Sequence, residues 1–392
     1  MQDPVVIVAA KRSPIGAFQG QFTNITAPQL GSAVVRNLFA PHPELINAVD
    51  EAVFGCCLMG NLKQAPARQV VLGAGLPESV PATTLTKMCG SGMKATMLVH
   101  DMLLAGSCTI GLAGGIESMT NAPYMLPKGR DGYRLGHGQL CDHMLLDGLE
   151  DAYEGKLMGY FADLSARELG ISRDRQDAYA AESVRRAQHA VSSGAFREEI
   201  APVTVGGRKG DIVISDDETP GKCDPGRIPD LKPAFIKDGS VTAANSSSIS
   251  DGAAAILLMR ESEAVRRKLQ PLARVVSHAT HAQKPALFTT APTPAIRGAL
   301  TKAGWRVSDV ELFEINEAFA VVSLLAMDEL GLAPDIVNVN GGACALGHPV
   351  GATGARIIVT LLHAMRQRGL KRGIASLCIG GGEAMATAIE IL

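Results

Sequence analysis

Apolar residues recur along this chain in two alternating patterns. Short apolar, β-branched runs at Val5 to Ala10, Ala52 to Gly55, Pro81 to Thr86, Thr109 to Ala113 and Asp251 to Met259 predict buried strands. Between them, apolar positions spaced three and four apart predict helices over Ala27 to Leu38, Ala65 to Ala74 and Met93 to Leu104, the last on positions 93, 97, 98 and 102. Strands alternating with helices at this spacing predict an α/β protein with a parallel, helix-covered sheet. The pattern returns late in the chain. A strand is expected at Val310 to Ile315, then a helix capped by Asn316 and stopped by Gly331, and a strand at Ile336 to Val339. A helix over Ala355 to Arg368, a strand at Ile374 to Cys378 and a final strand reaching Leu392 follow.

The stretch from Met119 to about Asn245 breaks the pattern. It is richer in glycine, proline and charge, and holds one clear amphipathic helix, Ser172 to Ser192. So long an interval between sheet segments is too much for a loop and predicts an inserted domain. The expected division is therefore 1–118 with about 246–270, an insert over 119–245, and 271–392. The two outer parts echo each other. Ser91-Gly92 and Thr353-Gly354 each open a helix, and Leu112-Ala-Gly-Gly-Ile-Glu117 and Cys378-Ile-Gly-Gly-Gly-Glu383 each follow a strand, about 265 positions apart. That spacing predicts two duplicated α/β halves.

Composition narrows the function classes. The 392 residues are 46% hydrophobic, enough for sizeable cores, and a net charge of −2 argues against a dedicated nucleic-acid surface. No apolar run approaches the ~18–20 residues of a membrane span. The run from Val5 is too short for a signal sequence, and the eight cysteines contain no Cys-x-x-Cys, so reduced thiols and a cytoplasmic location are expected. Cys141 with His143, and Cys344 with His348, lack a second half for a metal site, so no metal is expected.

Four stretches carry candidate chemistry. Cys89 lies on a strand-to-helix turn flanked by Gly90 and Gly92, where unpaired N–H groups and the helix dipole are expected to lower its pKa and make it nucleophilic. His348 stands between Gly347 and Pro349, which pushes it into an extended conformation. Cys378 ends a strand, and the bare amides of Gly380, Gly381 and Gly382 can donate to a developing oxyanion. Asn316, in Asn316-Glu-Ala-Phe319, serves either as a helix cap or to hold a water or carbonyl.

Taken together, Cys89-Gly-Ser-Gly, Asn316-Glu-Ala-Phe, Gly347-His-Pro and Cys378-Ile-Gly-Gly-Gly resemble the four signatures of the thiolases, and within them the acetyl-CoA acetyltransferases. The similarity spans essentially the whole chain. It implies duplicated α/β halves in α-β-α-β-α layers with an inserted loop domain, and a homodimer or homotetramer acting on acyl-CoA and CoA without a tightly bound cofactor. It implies Cys89 as acyl carrier, His348 as its base and Cys378 as the second proton carrier. One oxyanion hole would be His348 with a water on Asn316, the other the amides of Cys89 and Gly380. The CoA contacts map onto Leu149, Met158, Phe235, Ala243, Ser247, Ala318 and Phe319. Two departures stand out: Leu157-Met158-Gly159 replaces the family's His-Met-Gly, and no arginine near Pro220-Gly221-Lys222 matches the usual phosphate contact. Lys222, Arg208 or Lys209 can stand in for it. The implied reaction is condensation of two acetyl-CoA, or the reverse thiolysis. The competitors are a thiolase for longer or branched chains, a ketoacyl synthase, which would carry histidine at position 378, and an inactive acyl-CoA or lipid carrier.

Overall fold

The computed structural model describes residues 3–207 and 210–392. Nine strands form the path of the main sheet: β1 (Val5–Arg12), β2 (Glu51–Gly55), β3 (Ala82–Leu85), β4 (Ile110–Ser118), β5 (Ser250–Arg260), β6 (Ala273–Ala282), β7 (Leu312–Ile315), β8 (Arg372–Ile379) and β9 (Glu383–Ile391). They lie in the order β7-β8-β9-β6-β1-β5-β4-β2-β3, with a two-residue strand, Gly16–Ala17, beside β5.

The sheet is mixed, not parallel as the alternation predicts. Only β2–β3, β2–β4 and β7–β8 run parallel; β1–β5, β4–β5, β6–β9 and β8–β9 are antiparallel. The cause is topological. β5 returns from the inserted segment and β9 from a tight turn, so neither arrives by a helical crossover. β4 and β5 are buried along nearly their whole length, and a strand buried on both faces reads the same whichever way its neighbour runs.

The duplication is visible in the pairing. β1–β5 shifts register between Ile7 and Ala9, and β6–β9 shifts between Val275 and Ser277, so each half carries a bulge in the corresponding ladder. The halves meet where β1 pairs with β6 over only Val6–Arg274 and Ile7–Ala273. The expected strand over Ile336 to Val339, which would mirror β3, is reduced to one parallel bridge, Phe313 to Val337. Asn338 takes over the ladder: its side chain accepts from the Ile315 N–H and donates to the Ile315 carbonyl, both at 2.8 Å.

Helices fill three layers. On one outer face lie α1 (Ala27–Phe39) and α2 (Pro66–Ala74), packed against the β1–β5 half. Between the halves lies α3 (Ser91–Ala105), paired with a helix that begins five residues before the expected Ala355, at Val350, and runs to Arg368. The far face carries Pro292–Ala303 and Ala320–Leu330. The middle pair is buried almost all round: every residue from Val350 to Met365 is buried, as a central helix requires. The two axes approach closely because glycine faces the neighbour on each side. A Cβ on Gly92 would lie 2.8 Å from the Ala355 nitrogen, and one on Gly354 would lie 2.4 Å from that of Met93.

Among the described residues, 120–249 add no strand to the main sheet. They hold two short hairpins and the helices α4 (Met158–Glu168) and α5 (Arg173–Ser193). A buried ion-pair cluster ties this segment to the end of β1. Arg12 bonds Glu199 at 2.5 Å and both oxygens of Asp217 at 2.7 and 2.9 Å, while its backbone exchanges hydrogen bonds with Glu199 and Ala201.

Candidate active site

Cys89 sits between β3 and α3, on a turn whose preceding residue, Met88, has φ of 47°. The Ser91 hydroxyl holds that strained turn, donating to the Met88 carbonyl at 2.6 Å and accepting from the Lys87 N–H at 2.8 Å. The backbone amides of Gly380 and of Cys89 itself favour its thiolate. They do not prevail. Burial pushes the thiol up to about 11, against the lowered value expected from the helix terminus. The sulfur precedes the N-cap, Gly90, and the charge of Glu117 adds to the upward shift.

His348 opens α8 (Val350–Arg368), after Gly347 in a left-handed conformation at φ 108°. Its Nδ1 lies 2.6 Å from Thr353 Oγ1, and that hydroxyl lies 2.9 Å from the Pro349 carbonyl. The single hydroxyl proton goes to the carbonyl, so Thr353 accepts from Nδ1–H; this network assigns the tautomer. Nε2 is then left as a bare acceptor, buried and without a partner. Burial, with the nearby Arg356 charge, pushes the ring down to about 3 and keeps it neutral. At rest the site therefore holds a thiol and a neutral imidazole, not an ion pair.

Cys378 is 1% exposed at the end of β8, and burial, then the neighbouring Cys89, drive its thiol upward. Gly380 lies two residues on, and a Cβ there would come no closer than 4.0 Å to Met88 and Met158, so the backbone there is uncrowded. Asn316 is not the helix cap: α7 (Ala320–Leu330) is capped at Phe319. The Asn316 amide is buried with neither Oδ1 nor Nδ2 partnered. A wholly unpaired buried amide is costly and marks a place where a water or ligand belongs.

The other expected residues divide into two groups. Met158, Phe235, Ala318 and Phe319 pack with Cys378 in one apolar cluster, where Phe235 and Phe288 stand edge-on to Phe319 at 6.1 and 6.0 Å between ring centres. Leu149 packs beside Cys89 and Cys57. The Ser247 N–H donates to the Ala318 carbonyl at 2.9 Å, which ties the second group to the first. Of that second group, Lys222 and Ala243 line a cavity of about 400 Å³ together with Arg227 and Ser248, the neighbour of Ser247. Lys222 is held by Glu218 at 2.6 Å, whereas Arg227 forms no ion pair among the described residues. Arg208 and Lys209 lie outside the described residues. Leu157 is 38% exposed at the N-cap of α4.

Sequence reasoning missed three contributors. Thr353 appeared only as a helix opener, and Arg227 lies five residues beyond Lys222. Glu117 accepts the N–H groups of Cys57, Leu58 and Gly351 at 3.1, 3.1 and 2.7 Å, and so joins the end of β2 to the start of α8. Burial raises its carboxyl to about 7. Its signal was present, as the acid ending the first of the two echoed glycine motifs.

Comparison with known proteins agrees with this architecture. The thiolase N-terminal domain matches residues 5–262 and the thiolase C-terminal domain residues 269–391. The acetyl-CoA acetyltransferase of Chromobacterium violaceum is 48% identical, covering 98% of this chain and 99% of its own. The cytosolic acetyl-CoA acetyltransferase of Mus musculus is 45% identical, covering 99% and 98%. A crystal structure of the Bacillus anthracis acetyl-CoA acetyltransferase superposes with a TM-score of 0.97 at 41% identity, covering 100% of this chain and 99% of that one. With both halves matched almost from end to end, the chain belongs to the thiolase family.

Proposed function

We propose that the protein is an acetyl-CoA acetyltransferase, condensing two acetyl-CoA to acetoacetyl-CoA and CoA or running the reverse thiolysis. The observation that carries this is the approach to Cys89 of a second thiol, Cys378, and of the Gly380 amide. Two buried unsatisfied groups, His348 Nε2 and the Asn316 amide, are suited to a thioester oxygen or its water and support the same reading.

In the acylation step Cys89 Sγ attacks the thioester carbonyl while His348 Nε2 takes the thiol proton. With the thiol near 11 and the imidazole near 3, prior ionisation is unfavourable, so proton transfer accompanies C–S bond formation. The tetrahedral oxyanion is held by the amides of Cys89 and Gly380, the carbon–sulfur bond to CoA breaks, and CoA takes its proton from Cys378. The Cys378 thiolate then removes a methyl proton of a second acetyl-CoA. Its enolate oxygen is held by His348 and a water on Asn316, and its carbon attacks the acyl-Cys89 carbonyl, expelling the Cys89 thiolate, which takes its proton back from His348.

Lys222, Leu149, Met158, Phe235, Ala243, Ser247, Ala318 and Phe319 are proposed CoA contacts, and Arg227, without an ion pair among the described residues, is added for a CoA phosphate. CoA is substrate and product, with no resident cofactor. Four phenylalanine rings and Met158 clustered with Cys378 support a short acyl group over a long one. The division into 1–118 with about 246–270, 119–245 and 271–392, a homodimer or homotetramer, and a cytoplasmic location belong to the same proposal. Exposed Tyr124, Leu135 and Leu140 support self-association, and among the described residues no helix is long and apolar enough to cross a membrane.

Acetoacetyl-CoA with CoA should consume free thiol, with turnover falling as the 3-ketoacyl chain lengthens. Acetyl-CoA alone should leave its acetyl group on Cys89. Acetylation of Cys344 or Cys378 with Cys89 untouched overturns the assignment.

A further inference from the structure

Away from the thiols, three side chains meet on the seam between the two halves. His100 and Asp101 are adjacent near the end of α3, and His278 projects from β6. Asp101 Oδ1 lies 3.0 Å from His100 Nδ1 and 2.9 Å from His278 Nε2. The two imidazoles stand edge to face with centres 5.0 Å apart. Among the described residues this is the only group of three His, Cys, Asp or Glu side chains whose ligand atoms converge, all within 4.8 Å.

We propose that His100 Nδ1, Asp101 Oδ1 and His278 Nε2 bind one divalent transition-metal ion of the zinc, cobalt or nickel type. Two imidazole nitrogens and one carboxylate oxygen are the donors such ions prefer, whereas magnesium and calcium take oxygen ligands. An ion about 2.0–2.2 Å from each donor places tetrahedral ligands roughly 3.3 Å apart, so the two separations from Asp101 open by a few tenths of an ångström and the two ring nitrogens, within 4.8 Å of each other, turn toward the ion. Asp101 is exposed, which leaves water access to the remaining coordination position. His100 is buried and the His278 side chain is 19% exposed, so the packing of α3 on β6 already orients both rings. Burial of His278 favours its neutral, ligating form.

On binding, each neutral ring carries its single proton on the other nitrogen, His100 on Nε2 and His278 on Nδ1, and the ion replaces the two hydrogen bonds with three coordinate bonds. It thereby braces a helix of the first half against a strand of the second. This site is separate from the thiol chemistry, and it revises the sequence-based expectation of no metal. The cysteine–histidine fragments named there take no part, since His143 pairs with Asp147 and His348 with Thr353.

The test is titration of the chelator-treated full-length protein with cobalt(II), followed by its visible d–d absorption. One ion per chain should bind without thiolate-to-cobalt charge-transfer bands, which separates this site from the eight cysteines. His278→Ala, and separately Asp101→Asn, should each weaken binding about 10-fold or more. Thiolysis activity and circular dichroism confirm that each variant is folded, and His100→Asn replaces either one that is not. Cobalt bound through thiolate, affinity unchanged in the folded variants, or no binding at millimolar cobalt overturns the proposal.

Discussion

Thr353→Val isolates what the histidine tautomer contributes. Valine keeps the branched shape but deletes the hydroxyl that lies 2.6 Å from His348 Nδ1 and 2.9 Å from the Pro349 carbonyl. Thr353 is fully buried, so water cannot replace the hydroxyl without opening the packing between α3 and α8. The Nδ1–H is left unsatisfied, at a cost of about 1–3 kcal/mol. The ring avoids this by moving the proton to Nε2, which converts the base into a donor aimed at the substrate. Either outcome removes that energy from the productive arrangement, and the acylation rate should fall by about 5- to 150-fold. The readout is single-turnover acetylation of Cys89 by acetyl-CoA, measured well below the variant's thermal midpoint. The apparent affinity for CoA should be unchanged, because Thr353 lies away from the proposed CoA cavity. Thr353→Ser, which restores the hydroxyl, should recover most of the rate. Acetylation by a folded Thr353→Val protein within twofold of wild type would falsify the tautomer argument.

Three further outcomes are expected. Cys378→Ala should still be acetylated on Cys89, yet exchange of acetyl-CoA methyl protons in D₂O should fall by about 10²–10⁴-fold; wild-type exchange moves the base elsewhere. Arg227→Ala should raise KM for acetyl-CoA by about 10-fold, the scale of one charge-assisted hydrogen bond, while leaving an acetyl-pantetheine substrate unaffected; equal effects on both place Arg227 outside the phosphate site. Glu117 titrates near 7 when folded against an ordinary 4.5, so between those values the native state keeps a proton the unfolded chain has lost, and stability falls as pH rises. The stability of wild type relative to Glu117→Gln should accordingly drop by about 3 kcal/mol between pH 4.5 and 7 in denaturant titrations, and a parallel pair of curves refutes the shift.

What the sequence determined by itself was local and repetitive. The strands and helices followed from apolar period, because a buried face imposes the same spacing wherever the element lies. The echo of Ser91-Gly92 in Thr353-Gly354 disclosed the two halves, because each glycine must admit the neighbouring helix. Cys89, His348, Cys378 and Asn316 were legible as candidates because unusual backbone companions surround them. Strand direction was not legible: β4 and β5 are buried on both faces, and side-chain pattern then carries no orientation. Neither was the fate of Ile336 to Val339, whose ladder bonds pass to the Asn338 side chain. The electrostatics of the site were decided only in three dimensions. A helix terminus suggests a low thiol pKa from sequence, but the depth of burial belongs to the assembled layers, and it carries Cys89 upward and His348 downward. Thr353, Arg227 and the His100–Asp101–His278 cluster depend on contacts between distant segments or on the closing of a cavity, and only packing creates those distances.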